Sequence, residues 1–124
     1  HATQVGDALT QLAAVLACGG TAVWPAALAS AAATLPQEVR ASIELQADPL
    51  ASADPAIAAC LYHGGSDALR TLCQAIARRP GAIVSVTALP EGSAEIPLER
   101  LVTERAVSIN TAAAGGNASL MTIG

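Results

Sequence analysis

Large aromatic side chains and lysine are scarce in this chain of 124 residues. It contains one Trp, one Tyr and no Phe, and its six basic residues are all arginine. Without aromatic anchors, any contact with a partner has to rely on backbone pairing and aliphatic side chains. The absence of lysine removes Schiff-base chemistry. A net charge of -4 argues against nucleic acid as a partner, because that binding depends on cationic contacts with phosphate.

Cysteine and long apolar runs are also limited. Cys18, Cys60 and Cys73 are odd in number and widely spaced, which fits a reduced compartment better than a disulfide framework. We expect all three to be buried structural thiols and the protein to be cytoplasmic. The longest apolar run, residues 12–18, is much shorter than the ~20 residues that span a bilayer. No basic segment precedes an apolar one, so we predict neither a signal peptide nor a transmembrane segment.

Alanine accounts for much of the apolar content. Thirty alanines contribute to the hydrophobic fraction of 52%, and each of them brings little apolar area when it is buried. The length suits one domain. We therefore expect a single domain with a thin core.

The first half of the chain alternates helical and extended patterns. Apolar residues spaced four, three and four positions apart between residues 5 and 16 predict an amphipathic helix over residues 3–17. A buried strand is predicted at 21–24, and Pro25 is placed in the first turn of an alanine-rich helix that reaches residue 34. A single turn is predicted to start at Pro36. Residues 41–46 predict a strand with Ile43 and Leu45 on its drier face.

Residues 57–89 form a strand-helix-strand pattern. Strands are predicted at 57–62 and 83–89, and their crossover connection favours parallel pairing. Ser66 or Asp67 is predicted to cap the helix between them. The linker at residues 90–97 is polar and bracketed by prolines, so we divide the chain into an α/β body at 1–97 and a flap with a tail at 98–124. The apolar side of the helix is predicted to carry Leu69, Leu72, Cys73 and Ile76.

The tail has an unusual pattern for a chain end. Alternation at residues 107–110 predicts a β-flap, and the glycines that follow favour positive φ and close backbone approach. The apolar cluster near the end predicts that the tail is ordered and docks on something, since chain ends are usually polar. The predicted docking residues are Val107, Ile109, Asn110, Gly115, Gly116, Asn117, Leu120, Met121 and Ile123.

Three groups could carry chemistry, and each has a simpler interpretation. The turn His63-Gly64-Gly65-Ser66 before a helix could hold a phosphate, but it lacks Gly-x-Gly-x-x-Gly and favours a plain turn. Cys60 with His63 as base could be a nucleophile, although a buried thiol is the better interpretation. The acidic residues near position 100 each have an arginine next to them and predict a charged surface; they are Glu99 and Glu104, beside Arg100 and Arg105.

The segment Ser108-Ile-Asn-Thr-Ala-Ala-Ala-Gly-Gly-Asn-Ala-Ser-Leu-Met-Thr-Ile-Gly124 resembles the C-terminal motif of the long proline utilization A proteins. The resemblance implies an α/β fold with an incomplete Rossmann-like parallel sheet of the aldehyde dehydrogenase type, together with the β-flap and ordered tail. The stretch Ile43-Glu-Leu-Gln-Ala-Asp48 lacks the Gly-Gly-Lys that follows the general-base glutamate of aldehyde dehydrogenases. No catalytic-cysteine motif is present either. The resemblance therefore implies a domain without catalysis.

The same resemblance implies a function for the longer parent protein. Bacterial parents of this type oxidise proline to glutamate through pyrroline-5-carboxylate, using FAD in a proline dehydrogenase and NAD in an aldehyde dehydrogenase. They are cytoplasmic, with peripheral association with the inner membrane. The present piece is expected to hold no cofactor and no metal. We expect it to dock on the aldehyde dehydrogenase domain of its own polypeptide and to act as a lid on the cavity through which the intermediate passes.

Two other classes of function stay open at this stage. The flap could be exchanged between chains, which would make the piece an oligomerisation module that self-associates when isolated. Alternatively, the turn at residues 63–66 could bind a nucleotide.

Overall fold

The structure is a computed structural model that describes residues 1–51 and 56–103. The β-flap predicted at residues 107–110 and all nine predicted docking residues lie outside these ranges. Within them, helices and short parallel strands alternate along the chain, which confirms the α/β class. The helices are α1 (Val5–Ala17), α2 (Ala29–Ala33), α3 (Gln37–Arg40) and α4 (Ser66–Arg78); the strands are β1 (Ala22–Pro25), β2 (Ile43–Gln46), β3 (Ala59–His63) and β4 (Ser85–Leu89).

The described strands form two separate sheets of two strands each, where the sequence predicted one incomplete sheet. β1 pairs in parallel with β2, with Ala22 opposite Ile43. β3 pairs in parallel with β4, with Ala59 opposite Ser85, as the strand-helix-strand pattern predicted. Two-stranded sheets are marginally stable by themselves. Each of these sheets is therefore supported by a helix.

Each sheet has its own small core. α1 packs on the first sheet, where Leu12 contacts Trp24 of β1 in a cluster completed by three alanines. α4 packs on the second sheet, and Leu72 and Ile76 lie against Tyr62 of β3. The few large side chains in either cluster confirm the expectation of a thin core.

The region around Pro25 differs from the prediction. Pro25 is the last residue of β1, and its extended backbone (φ -63°, ψ 143°) leads into a 3-10 turn, Ala26–Leu28, before α2. The Ala22 amide donates to the Ser42 carbonyl, so amides of alternate residues face β2 and the proline nitrogen lies on the opposite edge. Pairing with β2 therefore loses no hydrogen bond at the proline.

Several predictions of burial, of the start of a strand and of helix capping are also wrong. Leu45 is 43% exposed because β2 is the outer strand of its sheet, and Ile83 is 98% exposed because β4 begins only at Ser85. Cys73 is exposed because α4 buries a narrow stripe against just two strands. Cys18 and Cys60 are only half-buried. The predicted caps Ser66 and Asp67 lie inside α4, whose N-cap is Gly65 without a side-chain cap bond.

Candidate functional site

A large cleft lies between the two sheets, and we refer to it as the intersheet cleft. Its volume is about 650 Å³, and its lining is mostly apolar. Edges of β1 and β3 form its two side walls, while residues of α1 cover one face and Leu72 and Ile76 of α4 cover the other. Packed protein interiors rarely leave voids larger than a water molecule. A space of this size is therefore unusual between two packed sheets.

A buried polar group at one end of the cleft ties three parts of the chain together. His63, which is fully buried, is bonded through Nδ1 to Nε2 of Gln11 on α1 at 2.8 Å. Its Nε2 lies 3.0 Å from the carbonyl oxygen of Ser93 in the linker. Gln11 also donates to the carbonyl of His1 at 3.1 Å. Both nitrogens of the imidazole are thus occupied by structural contacts.

These contacts answer the question of a Cys60–His63 catalytic pair. A general base needs a free nitrogen within reach of the nucleophile, and neither nitrogen of His63 is free for Cys60. Desolvation by burial, the largest effect, raises the pKa of the Cys60 thiol, which disfavours the reactive thiolate. The geometry supports structural roles for both residues.

The turn before α4 does not fit a dinucleotide phosphate. Gly64 has a φ of 148°, and a side chain there would meet the Tyr62 hydroxyl, which donates to the Gly65 carbonyl at 2.9 Å. The glycine is therefore explained by the close approach of Tyr62. Asp67 adds negative charge to the first turn of α4, where a phosphate would have to bind, and lies 3.5 Å from Arg70. The turn is accounted for as a connection between strand and helix.

The remaining predicted residues are distributed as follows. Glu99 and Arg100 lie exposed in a 3-10 turn, Leu98–Arg100, and Glu104 and Arg105 fall outside the described residues. In the described ranges, no group of three or more His, Cys, Asp or Glu side chains is arranged to hold a metal ion. None of the helices in these ranges has the length and apolar character needed to cross a membrane.

Two buried polar residues of α1 were missed by the sequence interpretation. Asp7 and Gln11 are only 5% and 7% exposed, and Asp7 Oδ1 accepts a bond from the Gly92 amide at 3.0 Å. Their spacing of four residues places them on one face of the helix, beside Ala8 and Leu12. A polar pair at that spacing, next to an apolar stripe, was the sequence signal that could have predicted their burial.

Comparison with known proteins shows similarity over nearly the whole chain to bifunctional PutA proteins. The chain is 53% identical to PutA of Salmonella typhimurium over 120 residues and 52% identical to PutA of Escherichia coli over 120 residues. Each of these matches covers 95% of this chain and 9% of the relative. Against PutA of Rhizobium meliloti the identity is 42% over 121 residues, covering 92% and 10%. The chain thus spans about a tenth of the length of these relatives. No family model and no solved structure matches the chain.

Proposed function

We propose that this chain, which belongs to the family of bifunctional PutA proteins, is a domain without catalysis of its own in a longer polypeptide that oxidises proline to glutamate. The extent of the similarity carries this proposal. More than nine tenths of the chain aligns with about a tenth of the length of each relative. The FAD and NAD sites of such a polypeptide would then lie in its other domains.

The described residues support a role without catalysis. The strongest candidate pair, Cys60 and His63, consists of a thiol whose pKa is raised by burial and an imidazole with both nitrogens occupied. The Tyr62 hydroxyl bonds to the turn before α4, and the acidic Asp67 lies in the first turn of that helix. The parallel pairing of both sheets, with helices between the strands, supports a fold of the Rossmann-like aldehyde dehydrogenase type.

The specific role that we propose is that of a lid. Residues 107–124 would dock on the aldehyde dehydrogenase domain of the same polypeptide by strand pairing, with Gly115 and Gly116 allowing close backbone approach. The body would then close the cavity through which pyrroline-5-carboxylate passes between the two active sites. Such closure would keep a reactive intermediate from escaping into bulk water.

A stopped-flow progress curve for NADH formation from proline tests this role. Full-length protein is compared with a version truncated after Ala106 and with Gly115→Val. We expect a new lag in both variants while each half-reaction, measured separately, keeps its rate. Gly6→Ala serves as the control, because a side chain at Gly6 meets no atom within 4 Å. Equal losses in the coupled and the separate reactions would refute the lid.

Two further measurements address the two other classes of function. Light scattering of full-length protein and of the truncation after Ala106 tests flap exchange, which would show as a loss of oligomer on truncation. Titration with NAD of a full-length Gly64→Ala variant tests the turn before α4. Unchanged NAD affinity is expected, since the acidic first turn of α4 does not favour a phosphate.

A further inference from the structure

The two walls of the intersheet cleft are strand edges that carry peptide groups toward each other. The Ala22 amide donates to the Ser42 carbonyl at 2.9 Å, so the peptide groups of the next residue, Val23, lie on the opposite edge of β1 and face the cleft. On β3, the Gly64 amide bonds to the Leu89 carbonyl, so even-numbered residues face β4. Ala59 and Leu61 therefore direct their peptide groups to the other edge, which also lines the cleft.

His1 pairs with that edge of β3. Its carbonyl accepts a bond from the His63 amide at 3.0 Å, and its nitrogen donates to the Leu61 carbonyl. Bonds from one residue to the two neighbours of its partner are the pattern of a parallel ladder, here with His1 opposite Tyr62. The His1 and Tyr62 rings lie on the same face, with centroids 5.9 Å apart. His1 is thus placed as a residue of a strand that runs parallel to β3.

The environment of the His1 nitrogen agrees with this placement. Desolvation by burial, the largest effect, lowers the pKa of its amino group. Within a longer polypeptide the same nitrogen is a peptide amide, which fits the ladder without the cost of burying a charge. The chain covers about a tenth of the length of its relatives, so further polypeptide is available to supply the strand.

We propose that one further parallel strand occupies the intersheet cleft, and that it is formed by the residues immediately before His1 in the full-length polypeptide. That strand would pair with β3 on one edge and with β1 on the other, joining the two sheets into one with the order β2, β1, new strand, β3, β4. Its residues would continue from His1 toward the level of Ala59. The chain would then pass through α1 into β1, which is a standard connection between parallel strands.

The size and lining of the cleft favour a strand over other occupants. A volume of about 650 Å³ corresponds to roughly twenty waters, yet the lining is mostly apolar and is closed on both faces by helices. Strands of parallel sheets that are covered by helices on both faces are apolar on both sides. A small apolar ligand would fill the volume but would leave the peptide groups of Val23, Ala59 and Leu61 without backbone partners.

The ladder register gives a sharp test with a native thiol. If His1 lies opposite Tyr62, the residue two positions before His1 lies opposite Cys60 on the same face. Neighbouring strands are ~4.8 Å apart, which is within the range of Cα separations that a disulfide can bridge. In full-length protein, a cysteine introduced two positions before His1 should therefore form a disulfide with Cys60 under mild oxidation. A cysteine one position before His1 points to the opposite face and should not.

Three comparisons identify the occupant. Cys60→Ser should abolish the cross-link, and truncation after Thr103 should leave it unchanged. Loss of the cross-link on truncation would instead assign the cleft to the tail, while cross-links between chains that increase with protein concentration would assign it to a second copy. Equal cross-linking from the two introduced positions would refute the register, and absence of any cross-link would refute the strand.

Hydrogen exchange of the unmodified full-length protein provides a second measurement. The Leu61 amide should exchange at least about 100-fold more slowly than an exposed loop amide, because it would donate to the carbonyl two residues before His1. The Tyr62 amide, which faces β4, reports whether the second sheet is folded. Fast exchange at Leu61 with protection at Tyr62 would overturn the proposal. The proposal requires only that polypeptide precedes His1, so its outcome is independent of the lid.

Discussion

Replacing Gln11 with leucine should destabilise the 124-residue chain, because it breaks the polar contacts around His63. Leucine has a similar size but donates no hydrogen bond to His63 Nδ1 at 2.8 Å or to the His1 carbonyl at 3.1 Å. His63 is fully buried, so its nitrogen would be left unsatisfied at a cost of ~1–3 kcal/mol. The added apolar surface of leucine offsets part of this cost. We expect a net loss of about 1–2 kcal/mol in the free energy of unfolding.

Urea denaturation followed by the emission of Trp24, the single tryptophan, measures this loss. With a typical m-value, the midpoint should fall by about 1 M. The matched control is Gln74→Leu, an identical substitution at an exposed position of α4, where the change should stay within ~0.5 kcal/mol. A double-mutant cycle with His63→Leu should show that the two losses are not additive. Equal stability of Gln11→Leu and Gln74→Leu would refute a structural role for the contact.

Three further outcomes are expected. Gly64→Ala should lower the free energy of unfolding by at least ~2 kcal/mol, because its Cβ would lie 2.5 Å from the Tyr62 hydroxyl oxygen at a positive φ. Gly6→Ala should instead raise it by up to ~1 kcal/mol. Urea midpoints that move the same way for both variants would contradict this. Iodoacetamide should modify Cys73, which is exposed, faster than Cys60, as measured by mass spectrometry of the labelled peptides. Burial raises the pKa of the Cys60 thiol above its ordinary value of about 9, so the folded chain holds this proton more tightly than the unfolded chain. The free energy of unfolding should therefore fall as the pH rises above 9. Cys60→Ala should reduce this dependence of stability on pH.

The elements that the sequence predicted well are those with strong periodicity. α1 was found from its apolar spacing, and β3, α4 and β4 were found from the change of period between strand and helix. These patterns also predicted the parallel pairing of β3 with β4. Local periodicity was sufficient here because each element buries its apolar face against a neighbour that is close in sequence.

Other features depended on contacts between distant residues and were not predictable from local pattern. The burial of Gln11 depends on His63, which lies 52 positions away, and the need for glycine at position 64 depends on the Tyr62 side chain folding back over the turn. Exposure of Cys73 depends on how many strands α4 covers. The separation of the sheets also escaped prediction, since a parallel pattern does not reveal which strand is the neighbour of which.

The positions of the cleft walls along the chain also bear on biosynthesis. β1 ends at Pro25 and β3 begins at Ala59, 34 positions later, so one wall leaves the ribosome well before the other exists. At ~5–20 residues per second, the interval is about 2–7 s. During that time the side of the cleft that β3 later closes, including the apolar residues of α1 that line it, has no second sheet to shield it. This part of the nascent chain is where we expect a chaperone that recognises extended apolar segments to bind.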